Sequence, residues 1–502
     1  MKYAHIRALL LLASLAVAPL GGAALAGDAS SALAGLTGDK LYQRADVGVH
    51  VVDAGTGAPV FTHGDDPMVP ASTAKLITAA AALKTLGPDW RFSTTLAGDR
   101  GPGGDGVLAG NLYVIGGGDP SLVVEKLWKL VYDLKLAGVT RVSGDVIFDD
   151  SYMDAEHTIH GWDKAHDVKR GPTYFAPVGA LSLNFNAAAI VVGPGEAPGE
   201  PARAALETPA QKVVTLENKA TTGRAGSRAS LVLDRKVSGD RVTFVISGSI
   251  PTGSEAGTYY KTVSDPTSYF TAVFAEMMKL HGITVGGHYL EGEAPEDAKT
   301  LIQLKSPPLA TILLEMNKSS SNFYAEQVFK AMGAEVRGGQ GTAASGASVV
   351  DDYLEGLGIP ADAHISGLNV VNGSGLSTDW QVRPSHLTAV LVDMARDQEV
   401  GAEFVASLAI GGRDGTLRKR YKDEDYDLRV RGKTGSLAGV SCLSGYVDGG
   451  DGRRYAFALL ANALPGSSAE AKAAQDRLVE TLLTLPPPDM GDPSIRVAEG
   501  TP

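Results

Sequence analysis

Three short groups of residues carry side chains that do chemistry. Ser72 and Lys75 stand three apart at the start of an Ala-rich, apolar run that continues to Leu86 and is stopped by Gly87 and Pro88. At about 100° per residue, the hydroxyl and the amine share one helix face. A serine hydroxyl is a poor nucleophile at neutral pH, and a lysine kept in an apolar setting loses part of its preference for the charged form and can take the proton. The helix start adds backbone N–H groups and partial positive charge, which suit an oxyanion. Lys433, Thr434 and Gly435, followed by Ser436, fall on a predicted strand. There a cation and hydroxyls can grip a carboxylate, and the glycine removes a side chain that would block a substrate lying along the strand edge. Ser320, Ser321 and Asn322 form a polar break between two predicted helices, offering a hydroxyl to relay a proton and an amide to hold a substrate amide. Each group is weak alone, since a Ser and a Lys at this spacing arise by chance about once in such a chain. Together, in this order on helix, loop and strand, they form a strong signal.

The elements that position these groups come from both ends of the chain. Residues 47–52 and 59–62 read as a hairpin around Gly55-Thr56-Gly57, and the serine helix follows. From about residue 91 to 292 the chain is rich in Gly, Pro and short strands (112–115, 142–148, 231–233, 242–246), with helices at 122–136 and 267–280. Helices are expected at 309–318, 323–332, 347–357 and 385–394, then a meander of strands at 428–433, 441–447 and 455–461, and a last amphipathic helix at 469–485. This pattern predicts an α/β (α+β) domain, an antiparallel sheet flanked by helices, built from 27–91 and 293–485. A β-rich region of two subdomains, 92–292, is inserted in it. Residues 27–45 read as a loose lead-in, and 486–502 as a disordered tail.

The 502 residues suffice for about three domains, and 44% hydrophobic content is that of an ordinary globular protein. A net charge of −12 without a dense Lys/Arg block argues against a nucleic-acid partner and an electrostatic membrane anchor. Lys2 and Arg7, an apolar stretch over 8–20 and the small-residue site Ala24-Leu25-Ala26 predict a cleavable secretory signal over 1–26. No later apolar run reaches about 18 residues, and no cysteine marks the cleavage site, so an exported, soluble protein without a transmembrane segment is expected. Cys442 is the only cysteine, which rules out an intramolecular disulfide; a small buried thiol in a strand is the expectation. His157, His160, His166 and Asp167 lack metal-ligand spacing and read as a polar loop. Gly432-Lys433-Thr434 is not the end of a phosphate loop, because Asp427 stands where that loop needs glycine. Gly373-Ser374-Gly375 follows Asn372 and reads as a tight turn.

The three groups resemble the triplet of penicillin-binding proteins and class A β-lactamases. With Gly116-Gly117-Gly118-Asp119-Pro120, residues 177–182 (PVGALS), Met316-Asn317-Lys318, residues 373–377 (GSGLS) and Asp414-Gly415-Thr416-Leu417, the chain is similar to D-alanyl-D-alanine carboxypeptidases/endopeptidases of the class C low-molecular-mass penicillin-binding group. That family interrupts its acyl-transferase domain with inserted domains, which fits the long gap from Lys75 to Ser320. The resemblance implies that Ser72 attacks the D-Ala-D-Ala carbonyl, Lys75 takes its proton, and Ser320 and Asn322 relay the proton and bind the substrate backbone. It also implies that Lys433 and Thr434 hold the terminal carboxylate, Gly435 lies at the substrate edge, and the N–H groups of Ser72 and Ser436 form an oxyanion hole. The implied partners are peptidoglycan stem peptides and β-lactams, in the periplasm, with no metal or cofactor. Asp149 matches an inserted-domain aspartate that meets the diamino acid of the stem peptide, while Thr378 and Ser321 replace the family's arginine and aspartate. Rival readings are a β-lactamase or other serine hydrolase, and a catalytically silent wall-binding or sensor protein. No feature of the pattern sets an oligomeric state.

Overall fold

The computed structural model describes residues 29–159, 161–162 and 170–487. The sequence-predicted signal, most of the tail, and His160, His166 and Asp167 lie outside them. The central layer is an antiparallel sheet of six strands: β1 (Asp46–Asp53), β2 (Pro59–His63), β3 (Ala409–Ile410), β4 (Val430–Leu437), β5 (Val440–Asp448) and β6 (Arg454–Asn462), in the order β3-β4-β5-β6-β1-β2. The two ends of the chain meet where β1 pairs with β6, Asp46 opposite Asn462 through to Asp53 opposite Tyr455.

Helices cover both faces of this sheet, so β6 is apolar along almost its whole length rather than alternating. Its odd and even residues still go to different places. Ala456, Ala458 and Leu460 face the core shared with α1 (Lys75–Leu86), α2 (Leu309–Lys318), α3 (Asn322–Arg337), α4 (Ala343–Gly356) and α5 (Pro384–Arg396). Phe457, Leu459 and Ala461 face the core under α6 (Ala469–Leu483). Residues 75–83 of α1 are all buried, which explains its all-round apolar, Ala-rich composition: small side chains let neighbours close in on every side. The helix stops at Gly87, whose φ of 83° suits glycine. The lead-in is more ordered than expected, for Leu33 and Leu41 are buried in the core under α6.

The inserted region has its own core. A five-stranded sheet in the order Tyr289–Glu291, Val146–Asp149, Leu112–Ile115, Ser93–Gly98 and Lys299–Lys305 packs with helices Val124–Leu136 and Pro266–Leu280. The strand Lys299–Lys305 therefore sits with the insert, beyond the boundary at residue 292 expected from composition. The strand expected over 142–148 is broken: Arg141–Val142 joins a different sheet, and Gly144 passes so close to Asn111 that a Cβ would lie 2.4 Å from its Oδ1. The insert is tied to α3, where Gln327 Nε2 donates to Gly179 O (2.9 Å) and buried Lys330 Nζ donates to Asp154 Oδ1 (2.6 Å) and Glu156 O (2.8 Å). No described helix is long and apolar enough to cross a membrane.

Candidate active site

Ser72 lies on a 3-10 turn, Ala71–Ala74, that runs directly into α1. The preceding Ala71 is fully buried with φ 47°, a left-handed conformation that costs a non-glycine residue about 1 kcal/mol or more. Tight packing holds it there. Gly435 of β4 comes so close that a Cβ would lie 2.6 Å from Pro70 O, and one on Gly375 would lie 2.0 Å from Ala71 O. The glycine of the 433–435 group thus admits the serine turn itself, where the sequence suggested room for substrate.

Lys75 Nζ is at the centre. It donates to Ser72 Oγ (3.0 Å), Asn322 Oδ1 (2.7 Å) and Ser374 O (2.8 Å), using all three ammonium hydrogens. The side chain is 0% exposed, and burial pushes its pKa down to about 7, with Glu326 opposing the shift. Ser72 is only half-buried, so it reaches the surface while the Lys75 amine beside it stays dry.

Asn322 is the first residue of α3 and Ser321 caps the helix by accepting from Tyr324 N (3.3 Å). The cap is thus neither Ser320 nor Asn322, which leaves both side chains for the site. Asn322 Nδ2 donates to Tyr174 O (3.0 Å), so a carbonyl of the insert fixes the orientation of the amide that meets Lys75. Ser320 holds φ 59°, a second strained residue beside the chemistry, and its Oγ accepts from Lys433 Nζ (2.8 Å). Just before it, Lys318 pairs with Asp414, anchoring the end of α2.

Lys433 is buried, points inward at Ser320 and Thr434 O (2.8 Å), and has its pKa pushed well below the usual lysine range by desolvation and then by Lys75. Thr434 and Ser436 present the accessible groups instead. On β4, Val430 O accepts from Gly411 N on the β3 side and Arg429 O accepts from Asp448 N on the β5 side. By alternation, the main-chain groups of Thr434 and Ser436 point away from β5. Short β3 pairs only with Arg431 and Gly432, so that edge is open beyond them.

The structure brings Ser72, Lys75 and Asn322 into one hydrogen-bonded group and Ser320 and Lys433 into a second beside it, close enough for Lys75 to act on the Lys433 charge, with Thr434, Gly435 and Ser436 alongside. Asp149 is placed elsewhere: it is buried in the insert, and its carboxylate accepts from Ser151 N (3.0 Å), Ser151 Oγ (2.6 Å) and Ala294 N (2.8 Å). Cys442 is buried on β5 behind the serine turn, its thiol pushed up to about 12 by desolvation. His157 bonds to Val178 O (2.7 Å). Sequence reasoning missed Tyr174, which contributes a backbone carbonyl without any side-chain signature, and Glu326, a carboxylate on the buried face of α3. It also missed a cavity of about 650 Å³ beside the cluster, walled by Tyr174, Phe185, Glu207 and Tyr260 of the insert with Ser320 and Asn322.

The sequence matches the profile of the D-Ala-D-Ala carboxypeptidase 3 (S13) family over residues 29–485. A D-alanyl-D-alanine carboxypeptidase of Actinomadura sp. (strain R39) is 34% identical over 443 residues, 85% of this chain and 80% of the relative. One from Haemophilus influenzae is 26% identical over 420 residues, 83% of this chain and 85% of the relative. The crystal structure of penicillin binding protein 4 from Haemophilus influenzae superimposes with a TM-score of 0.77 at 25% identity, covering 90% of this chain and 99% of that one. The serine and lysine on the first turn of a buried helix thus stand within an acyl-transferase fold that carries an insert, and the chain belongs to the D-Ala-D-Ala carboxypeptidase 3 (S13) family of serine peptidases.

Proposed function

We propose that this protein is a serine D-alanyl-D-alanine carboxypeptidase/endopeptidase acting on peptidoglycan stem peptides through an acyl-enzyme on Ser72, and that β-lactams acylate the same serine. The observation that carries this reading is the dry Lys75 amine 3.0 Å from an accessible Ser72 hydroxyl. Ser72 Oγ attacks the carbonyl of the D-Ala-D-Ala bond as Lys75 Nζ takes its proton. The oxyanion is held by the N–H groups of Ser72 and Ser436, each worth on the order of 10²- to 10³-fold in rate. Ser320 Oγ, bonded to Lys433, gives its proton to the departing D-alanine amine and regains one from protonated Lys75, which returns to the neutral amine. Thr434, with the Lys433 amine behind it, holds the terminal carboxylate, and Asn322 steadies the peptide. Water then hydrolyses the acyl-enzyme. The cavity walled by the insert gives the rest of the stem peptide a place beside Ser320 and Asn322. A penicillin binding protein 4 of similar fold has been crystallised with a β-lactam, which supports the second half of the reading for this chain. The signal-like residues 1–26 support work outside the cytoplasm, in the periplasm where the substrate lies.

The test is intact-mass analysis after incubation with benzylpenicillin, followed by D-Ala release from a stem peptide. A single adduct that peptide mapping places on Ser72, absent in Ser72→Ala, is expected together with D-Ala release. Rapid consumption of the drug without an adduct would instead select a β-lactamase. An adduct without D-Ala release would select a silent sensor.

A further inference from the structure

The mechanism uses Lys75 and leaves a second buried ionisable group without a role. Glu326 lies on α3 one turn beyond Asn322 and is 1% exposed. Its Oε2 accepts from Gly373 N and its Oε1 from Ser374 N, both at 2.9 Å. The carboxylate therefore grips two successive amides of the segment that the sequence marked only as a tight turn. Thr78 holds the same segment from α1, its Oγ1 donating to Gly373 O (2.8 Å). Gly373 itself is pressed against α3, where a Cβ would lie 2.5 Å from Ala325 O. Between these clamps the carbonyl of Ser374 is aimed at Lys75 Nζ, 2.8 Å away.

Counting hydrogens shows what that carbonyl does. An ammonium has three N–H donors, and the three acceptors around Lys75 take them all. A neutral amine has two donors and one lone pair. Asn322 Oδ1 and Ser374 O can only accept, whereas the Ser72 hydroxyl can also donate. Once the two carbonyl oxygens hold the two N–H bonds, the lone pair is left facing Ser72. We propose that Glu326 is a positioning residue for acylation: it fixes the Ser374 carbonyl that turns the Lys75 lone pair onto Ser72, and its carboxylate offsets the charge Lys75 gains with the Ser72 proton. The proposal rests on the Ser72 and Lys75 roles given above.

Among the described residues, the charged groups facing Lys75 are Glu326 from α3 and Lys433 from β4. Burial raises the Glu326 pKa, opposed first by the Ser374 hydroxyl and then by the Gly373 amide, Lys75 and the Ser374 amide. Glu326 in turn favours protonated Lys75. Removing its charge therefore makes Lys75 a weaker base that is free at lower pH, while loosening the Ser374 carbonyl makes the lone pair less well aimed.

The experiment is the second-order rate of Ser72 acylation by benzylpenicillin against pH, in wild type, Glu326→Gln, Glu326→Asp and Thr78→Val, with Tm as a check on folding. In Glu326→Gln the plateau is expected to fall about tenfold or more and the acid limb to move to lower pH. Thr78→Val loosens the same segment without touching the charge, so its plateau should fall while its limb stays at the wild-type pH. Glu326→Asp, which keeps the charge on a shorter arm, should behave like Thr78→Val and serves if the glutamine variant does not fold. A Glu326→Gln limb superimposed on the wild type overturns the proposal, as does an Asp limb displaced to lower pH. A wild type that forms no Ser72 adduct at any pH instead fails the nucleophile assignment itself, a result visible before any variant is compared.

Discussion

The base proposed for the reaction, Lys75, is dry, and its expected behaviour with pH follows from that. Burial pushes its pKa down to about 7, and in the mechanism proposed above the neutral amine is the form that accepts the Ser72 proton. Acylation by benzylpenicillin is therefore expected to be slow below that pH, where Lys75 carries its charge, and to rise through it to a plateau. Lys75→Ala should lower the plateau rate by about 10²- to 10⁴-fold and abolish the acid limb, so that its gap to wild type narrows as pH falls, as stopped-time mass spectrometry would show. Gly435 makes an equally local prediction. Gly435→Ala forces a methyl to within 2.6 Å of Pro70 O, so β4 must move off the serine turn. The expected result is a loss of about 1–3 kcal/mol in denaturant unfolding together with slower acylation, since Ser436 moves with the strand. Substrate affinity lost with full stability would mean that the glycine serves the ligand instead.

Whole elements decide which residues a sequence can reveal. Ser72 and Lys75 are legible because helical spacing alone puts them on one face, and Lys433 to Ser436 because strand alternation sorts them. Glu326 was not legible, since its meaning depends on a segment about fifty residues away that packs between α3 and the serine turn. The Tyr174 carbonyl is invisible for a simpler reason, as every residue has one. Asp149 was drawn from a matching motif, and the bonds its carboxylate accepts come from Ser151 and Ala294 of the insert. The seam between insert and α3 offers a test at this scale. Lys330 is 1% exposed and ion-paired with Asp154 across it. Asp154→Ala leaves that ammonium buried without its carboxylate and should cost on the order of 3 kcal/mol in urea unfolding, whereas Asp154→Ala combined with Lys330→Met should recover most of it. Recovery that fails would show that the seam depends on other contacts, such as Gln327 with Gly179.

At the scale of the molecule, the apolar residues of α3 lie in the core of the acyl-transferase domain, which also takes in Phe175 and Val178, and the helix carries Asn322 and Glu326 toward Lys75 and Gln327 and Lys330 toward Gly179 and Asp154 of the insert. The insert therefore supports the site, since Tyr174 O orients Asn322 and Phe185 leans on Phe323 with ring centroids 6.2 Å apart. Phe185→Ala, which trims the cavity wall without touching the lysine cluster, is expected to raise KM for a stem peptide several-fold while leaving benzylpenicillin acylation near wild type. Equal effects on both would place Phe185 in the support of Asn322 instead.

The pairing of β1 with β6 has a consequence in time as well as in space. A ribosome delivers β1, β2 and the serine helix early and the Lys433 strand β4, with β5 and β6 after it, almost last. Until those last strands emerge, β1 has an open flank, Ser72 has no oxyanion donor from Ser436, and Ser320 has no lysine. On the mechanism proposed above, the nascent chain thus carries Ser72 unarmed until those strands are made, and acylation is expected only of a chain that contains them. Pulse-labelled chains halted before Val430 should accordingly escape a fluorescent penicillin that marks the completed protein.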